Sequence, residues 1–535
     1  MKKFFKTLYT GIVFTGLWLV PFLLLMIKNI LPSMNQKTSL LCCLAVMVWT
    51  TFNNIWAVFC EGKRISEIRL GDGLIPDSGL KKESPCKRMA SYPKVPGMFL
   101  SKQPEGIILG AYKNRYVRVP AKEILHSCII GGSGSGKTST VILDTLLANF
   151  ASEKPEKQKF LTFAIDIKGE LHEKSAYVHS PDIQIVDPSD RTSKGWDVYY
   201  RLRDNPGNDR IIESMEEIAQ ALIVSTNPKD KFFVENARTM FTGLLIYYFQ
   251  QGETFIDAVG KILETELKGL LAEIAAESTS SDLWYKYLAK FAGKNAESVE
   301  DCMVEMTTSL SVFSKPDVKY CFRDNMEKAS PASLREGKSV FLAVPEHLLE
   351  SYQAVMRLCT AQILQDLQRR PEGSSPPILI LIDEFARLGR VETIFQALAT
   401  LRSRQVMIML AFQSLAQCEV IYSEAETRVL TENCRIKIIC ECSDPKTSKT
   451  ISDWCGKYRE KKETLTGGKG RHKSYSYEDK PIVEASDLIT LVQKGEEILI
   501  LPEAGYLRPD KCYYFKDKQL SALAEKVRAY NQQAR

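Results

Sequence analysis

The sequence predicts an α/β body interrupted by an all-α insertion and preceded by two helices that cross a membrane. Three observations carry this. A glycine-rich stretch, GGSGSGKTS (131–139), lies between a short apolar run and a helical pattern. Short apolar runs rich in Ile, Val and Leu recur on both sides of a long segment with helical periodicity. The first 61 residues hold two long stretches without charge.

Those stretches run between Lys6 and Lys28 and between Lys37 and Glu61. Each reaches the roughly 20 residues that a helix needs to cross about 30 Å of hydrocarbon. A cleaved signal peptide fits poorly, because the first run is too long, lacks a small-residue cleavage site and is followed by a second span. Lys2, Lys3 and Lys6 precede the pair and Lys63, Arg64 and Arg69 follow it, whereas the connecting loop has only Lys28 and Lys37 at its edges. The positive-inside rule then places both ends in the cytoplasm, with nearly everything after residue 61 cytosolic.

Residues 62–105, rich in Gly, Pro and Lys, read as a linker. Beyond it, HSCII (126–130), KFLTFAID (159–166), SVFLAVP (339–345), ILILID (378–383), VMIMLAF (406–412), RIKIIC (435–440) and EILILP (497–502) have strand texture. TSTVILDTLLANF (138–150) reads as the helix after the glycine loop. From 205 to 320 the period is helical: Phe233, Ala237, Met240, Phe241, Leu244, Leu245 and Tyr248 follow i, i+3, i+4 spacing. The simplest organisation is one α/β domain in two parts, 106–204 and 321–535, split by an all-α insertion at 205–320. The polar stretch 461–480, with Gly467 and Gly468, is expected as an exposed loop or hairpin tip.

A charged fraction of 25% and an apolar fraction of 44% exclude wholesale disorder. The net charge of +6 permits an anionic partner without demanding one. The 14 cysteines show no paired CxxC spacing, so zinc ligation and a disulfide framework give way to free thiols in a reducing cytosol.

The chemistry is in three places. Gly131, Gly136, Lys137 and Thr138 satisfy G-x-x-x-x-G-K-[ST], and Gly132, Ser133, Gly134, Ser135 and Ser139 complete the loop. In such a loop backbone N–H groups close on phosphates, the lysine reaches β and γ oxygens, and the threonine hydroxyl binds Mg2+. Asp383 and Glu384 end an unbroken apolar run. Asp383 is placed to hold the magnesium shell, and Glu384 to orient or deprotonate an attacking water, which favours ATP hydrolysis over transfer to a bound hydroxyl. Gln413, at the end of another apolar run, is either a γ-phosphate sensor or a polar strand terminus. Arg402 and Arg404 are either solvated or fingers reaching into a neighbour's site.

The two N-terminal spans, GGSGSGKTS, AIDIKGEL, LIDEFARLG and LAFQSLAQ, in this order, resemble the type IV coupling proteins of conjugation and type IV secretion, the TraG-like ATPases. ENCRIKIIC, SDWCGK and the terminal KCYYF are similar too. The resemblance implies a RecA-like motor with an all-α domain, multi-pass in the bacterial inner or plasma membrane, with most of the chain cytoplasmic. It implies ATP and Mg2+ as ligands and a homohexameric ring as the assembly. The implied cargo is a relaxase bound to single-stranded DNA, or protein effectors, handed to components of a type IV secretion channel. By motif it assigns nucleotide and Mg2+ to Lys137 and Thr138, and hydrolysis to Asp383 and Glu384. It also implies a γ-phosphate sensor at Gln413 and a trans-acting arginine at Arg402.

Asp166, Lys168 and Glu170 match a family motif without a derivable chemical role. A long acidic tail, used by some members for docking, is not seen before the chain stops at AYNQQAR, so the helical insertion is expected to carry partner recognition. Lys461, Lys462, Lys469, Arg471 and Lys473 beside Tyr475 and Tyr477 fit either single-stranded DNA contact or a solvated tip. Two other functions compete. A double-stranded DNA pump of the FtsK/SpoIIIE type would carry a C-terminal winged-helix module, which is not recognisable here. A receptor that uses nucleotide only as a switch would not need the Asp383–Glu384 pair.

Overall fold

The computed structural model of the chain describes residues 97–152, 159–224, 231–292, 296–324, 326–466, 472–501 and 505–533. The two expected membrane spans, the linker up to residue 96 and the tip of the polar stretch (467–471) lie outside the described residues. Among the described residues, no helix is long and apolar enough to cross a membrane.

Strands β1 (Leu100–Ser101), β2 (Ile107–Tyr112) and β3 (Arg115–Val119) form a small antiparallel sheet in the order β1-β3-β2. Leu100 and Ser101 pair with Val117 and Tyr116, so regular structure begins inside the stretch expected to be linker. Next come β4 (Ser127–Ile130), β5 (Leu161–Asp166), β6 (Ile183–Val186), β7 (Gly195–Trp196), β8 (Lys328–Ala329) and β9 (Ser339–Ala343). They are followed by β10 (Ile378–Ile382), β11 (Val406–Phe412), β12 (Ile436–Ile439), β13 (Lys457–Thr466), β14 (His472–Pro481), β15 (Ile498–Leu501) and β16 (Gly505–Leu507).

The main sheet has nine strands in the order β16-β15-β12-β4-β11-β10-β5-β9-β6. Its centre is parallel, and at one edge β15 alone runs the other way, antiparallel to both β12 and β16. Parallel strands need a crossover between them, which helices on the two faces supply, so central strands are buried on both sides. That explains the unbroken apolar runs: every residue of β4, β10 and β11 is buried.

Seven α-helices lie between β7 and β8 among the described residues, from Asn208–Leu222 to Pro316–Cys321. Ala237, Met240, Phe241, Leu244, Leu245 and Tyr248 are buried in the long helix Lys231–Gln250, and Phe233 is half-buried near its start. Edge-to-face rings at Phe255, Phe313 and Phe322 close a second knot, with centroids 5.3 Å apart for Phe255–Phe313 and for Phe313–Phe322. β7 and β8 pair in parallel, Gly195 with Lys328 and Trp196 with Ala329, which brings the two ends of the helical segment together. The buried helix Gln353–Gln368 ties this segment to the sheet: the Trp196 indole N–H donates to Gln362 Oε1 at 2.8 Å, and Gln362 Nε2 donates to the Val198 carbonyl at 2.8 Å.

The polar stretch takes the hairpin form of the expectation, with ladder on both sides of residues 467–471. β13 and β14 pair antiparallel from Lys457↔Pro481 to Thr466↔His472, and this hairpin falls outside the compact unit that the α/β body and the helices form. The cysteines Cys128, Cys302, Cys321, Cys359, Cys418, Cys434, Cys440, Cys442, Cys455 and Cys512 are buried free thiols.

Candidate active site at the carboxyl ends of the strands

The sheet order decides what meets. β4, β11, β10 and β5 are adjacent, and Ile130, Phe412, Ile382 and Asp166 stand at their carboxyl ends. In open α/β sheets the ligand crevice lies outside those ends. The loop Gly131–Thr138 leaves β4 there, with Gly131 N–H donating to the Phe412 carbonyl at 3.1 Å. A side chain at 131 would strike Ser135, since its Cβ would stand 2.3 Å from Ser135 Oγ. Gly136 has φ +100°, a backbone that L side chains rarely adopt. Thr140 N–H then returns to the Gly136 carbonyl at 2.9 Å and the chain enters the π-turn Thr138–Ile142 and the helix Leu143–Phe150. A helix N-terminus with such a loop before it attracts anions.

Lys137 is 6% exposed. Its ammonium donates to the Gly131 carbonyl at 2.7 Å and the Gly132 carbonyl at 3.3 Å, and lies 3.5 Å from Glu384 Oε1. The other oxygen of Glu384 accepts from Gln413 Nε2 at 3.3 Å. The structure thus brings Lys137, Glu384 and Gln413 into one chain of contacts from three separate strands. Glu384 has φ +53° and ψ +52°. For a non-glycine residue this left-handed conformation costs about 1–2 kcal/mol, and such strain gathers at functional sites.

Thr138 Oγ1 donates to Asp383 Oδ2 at 3.4 Å, and the other Asp383 oxygen accepts from Glu384 N–H at 3.1 Å. Burial, then the neighbouring Glu384 charge, pushes the Asp383 carboxyl up to about 6. Thr138 and Asp383 put hard oxygens side by side with no cation-binding nitrogen or sulfur between them, a donor set that suits Mg2+. A divalent cation would also offset the crowding of Asp383, Glu384 and Asp166.

Asp166 has a structural task that its sequence motif did not reveal. Its Oδ2 accepts from His172 N–H at 2.9 Å and meets His172 Nδ1 at 2.7 Å, which fixes the turn into the helix Glu170–Ser175. Lys168 pairs with Glu346 at 3.5 Å, and Glu170 pairs with Lys174. Ser133, Thr138, Asp166, Lys168, Glu346, Asp383, Glu384, Arg387 and Gln413 all line one pocket of about 130 Å³. Arg387 escaped the sequence reading. It lies three residues past Glu384, exposed, with its N–H donating to the Glu384 carbonyl at 2.7 Å.

Arg402 is elsewhere. It is exposed, in the turn before β11, at the amino end of a strand of seven residues. A strand of that length spans about 23 Å, so Arg402 and the phosphate loop stand at opposite edges of the sheet. Arg404, beside it, is committed to structure: its guanidinium donates to the Arg370 carbonyl, and Arg370 Nη1 donates back to the Arg404 carbonyl at 3.2 Å.

The family described as "Type IV secretion-system coupling protein DNA-binding domain" matches residues 118–504. Protein VirD4 of Agrobacterium fabrum is 24% identical over 431 residues, which cover 75% of this chain and 60% of VirD4. The chain therefore spans less than two thirds of that relative's length. Among solved structures, the bacterial conjugative coupling protein TrwBdeltaN70 superposes with a TM-score of 0.63 at 14% identity, over 81% of this chain and 92% of that one. The plasmid coupling protein TrwB in complex with ADP and Mg2+ superposes with a TM-score of 0.61 at 14% identity, over 82% of this chain and 94% of that one. At that identity the likeness establishes the fold.

Proposed function

The chain belongs to the type IV secretion-system coupling-protein family, and from that premise we propose that it is a membrane-anchored ATPase that passes cargo to a type IV secretion channel. The cargo is single-stranded DNA bound to a relaxase, or protein effectors. The observation that carries the reading is the convergence of Lys137, Thr138, Asp383, Glu384 and Gln413 at the carboxyl ends of three adjacent parallel strands. The relative crystallised with ADP and Mg2+ shares this fold. Two N-terminal spans, expected from the charge-free stretches, supply the anchor.

Each residue then has a defined task. Backbone N–H groups of the loop and the Lys137 ammonium hold the β and γ phosphates of ATP. Phosphate oxygens replace the loop carbonyls and Glu384 as partners of Lys137, which frees Glu384 Oε1 for the attacking water. Glu384 takes the water's proton, and Gln413, already bonded to Glu384 Oε2, orients the carboxylate and senses the γ-phosphate. Thr138, with Asp383 behind it, would hold Mg2+, which would supply charge neutralisation for the phosphates. Arg402, remote from its own loop, serves the site of the next subunit in a homohexameric ring. The helices from 208 to 321 form the domain that recognises partners.

The test is ATP turnover by the full-length chain with and without single-stranded DNA, beside the Glu384→Gln variant. Turnover that single-stranded DNA stimulates and Glu384→Gln abolishes supports the reading. Stimulation by double-stranded DNA alone would point to a duplex pump. ATP binding without turnover in the wild type would point to a nucleotide-switched receptor.

A further inference from the structure

A buried lysine from the end of the chain reaches the back of the phosphate loop. Lys511 is 7% exposed, and its ammonium donates to the Ser135 carbonyl at 2.6 Å and the Cys440 carbonyl at 2.9 Å. The backbone that leads into it is pinned by three hydrogen bonds. Asp510 exchanges hydrogen bonds with Ala111 of β2 at 3.0 and 2.8 Å, and Lys511 N–H donates to the Gly495 carbonyl at 2.7 Å. Cys440 in turn donates its N–H to the Ile130 carbonyl at 2.8 Å, at the root of the loop. The ammonium therefore joins the crest of the loop to the framework under it.

Burying an ammonium is costly unless acceptors and counter-charge surround it. The two carbonyls supply the acceptors here, and the fully buried Glu497 carboxyl lies near enough to feel the ammonium charge. Glu497 Oε2 accepts from the Cys440 thiol at 3.8 Å, and burial pushes its carboxyl up to about 8 while the charge on Lys511 pulls the other way.

The Ser135–Gly136 peptide is what the lysine controls. In a trans peptide the C=O and the following N–H point in opposite directions. With the Ser135 oxygen held against Lys511, the Gly136 N–H is aimed away from Lys511. Among the described residues no group accepts from that N–H. Gly136, at φ +100°, has the conformational freedom to let this peptide rotate if nothing held it.

We infer that Lys511 is a positioning residue of the phosphate loop: by holding the Ser135 carbonyl it aims the Gly136 N–H at the phosphates of the bound nucleotide. The inference rests on the proposed nucleotide site. Without Lys511 the peptide samples orientations in which a carbonyl, not an N–H, faces the phosphates.

The experiment compares full-length wild type with Lys511→Met and Lys511→Arg by ADP titration in the presence of Mg2+, by ATP kinetics and by thermal unfolding. Lys511→Met should fold and bind ADP about tenfold more weakly or worse, the low end for a hydrogen bond to a charged group. KM for ATP should rise by a similar factor while kcat at saturation changes less, and Lys511→Arg should recover part of the affinity. A folded Lys511→Met that binds ADP as the wild type does would overturn the inference. So would an Arg variant as weak as the Met variant, since the site would then answer to packing and not to a donated hydrogen bond. If Lys511→Met does not fold, Lys511→Gln decides: its amide is one bond too short for both carbonyls, so weaker ADP binding supports the inference and wild-type affinity overturns it. A wild type that binds no ADP would sink the nucleotide reading, and this inference with it.

Discussion

The two ends of β11 differ in kind. At the carboxyl end, Gln413 bonds Glu384, Glu384 meets Lys137, and Thr138 meets Asp383, so charged and polar groups from separate strands crowd into one half-buried cluster. At the amino end, Arg402 is exposed beside Arg404, whose guanidinium is already spent on a main-chain carbonyl. One edge holds the proposed ATP site, and among the described residues that line it the arginine is Arg387. The other edge offers an arginine and no nucleotide. On the proposed reading these are two halves of one site, completed between neighbouring subunits.

The largest effect expected from breaking this comparison is at Arg402. Arg402→Ala should lower turnover by about 10³-fold or more, the scale of a trans arginine in other P-loop enzymes, with ATP affinity unchanged. Arg404→Ala, two residues away, should leave turnover nearly intact and lower the melting temperature, because it removes the clip to Arg370. Steady-state kinetics and thermal melts of both variants check the contrast, and equal turnover losses would erase the distinction between the two arginines.

At the opposite edge, Glu384→Gln should keep ATP binding and lose about 10²–10⁴-fold in turnover, as when a general base is removed. Near wild-type hydrolysis would mean that Glu384 is not the base. Gln413→Ala should cost less, about tenfold in kcat, in line with one hydrogen bond to a charged group. A loss confined to KM would instead make Gln413 a binding group.

Much of this was legible in the sequence, and what was missed has a physical pattern. The strands that carry the site are buried on both faces, so β4, β10 and β11 stood out as unbroken apolar runs, and the glycine spacing of the loop marked its own chemistry. Position along β11 was readable as well, since strand length alone separates Arg402 from Gln413. The hairpin β13–β14 was not readable as ladder. Its sequence is polar and charged, without the alternation of apolar and polar residues by which strands are recognised. The grip of Lys511 on Ser135 spans 376 residues of sequence, and no local pattern encodes such a contact. The same holds for the task of Asp166: its motif was visible, but the bond to His172 required the turn to be seen.

The smallest effect expected is one of stability, at the buried acid behind the loop. Burial raises the Glu497 carboxyl to about 8, above the ordinary carboxylate value it regains on unfolding. Between those two values the unfolded chain has released the proton and the folded chain keeps it. Stability from this group is therefore full in acid and declines as pH rises toward about 8. Glu497→Gln removes the proton and should flatten that decline. Melting temperatures of wild type and variant from about pH 5 to about pH 8 check this, and parallel slopes would mean that Glu497 does not titrate in that window.

The most direct measurement joins the two edges in one tube. Arg402→Ala subunits keep an intact Glu384, and Glu384→Gln subunits keep an intact Arg402. In a mixed ring some interfaces pair a working carboxyl edge with a working arginine from the neighbour, so two inactive preparations should regain ATPase activity on mixing. If the variants co-assemble, as shown by co-purification through a tag on one of them, and activity stays absent, then the nucleotide site is not completed by a neighbour's Arg402.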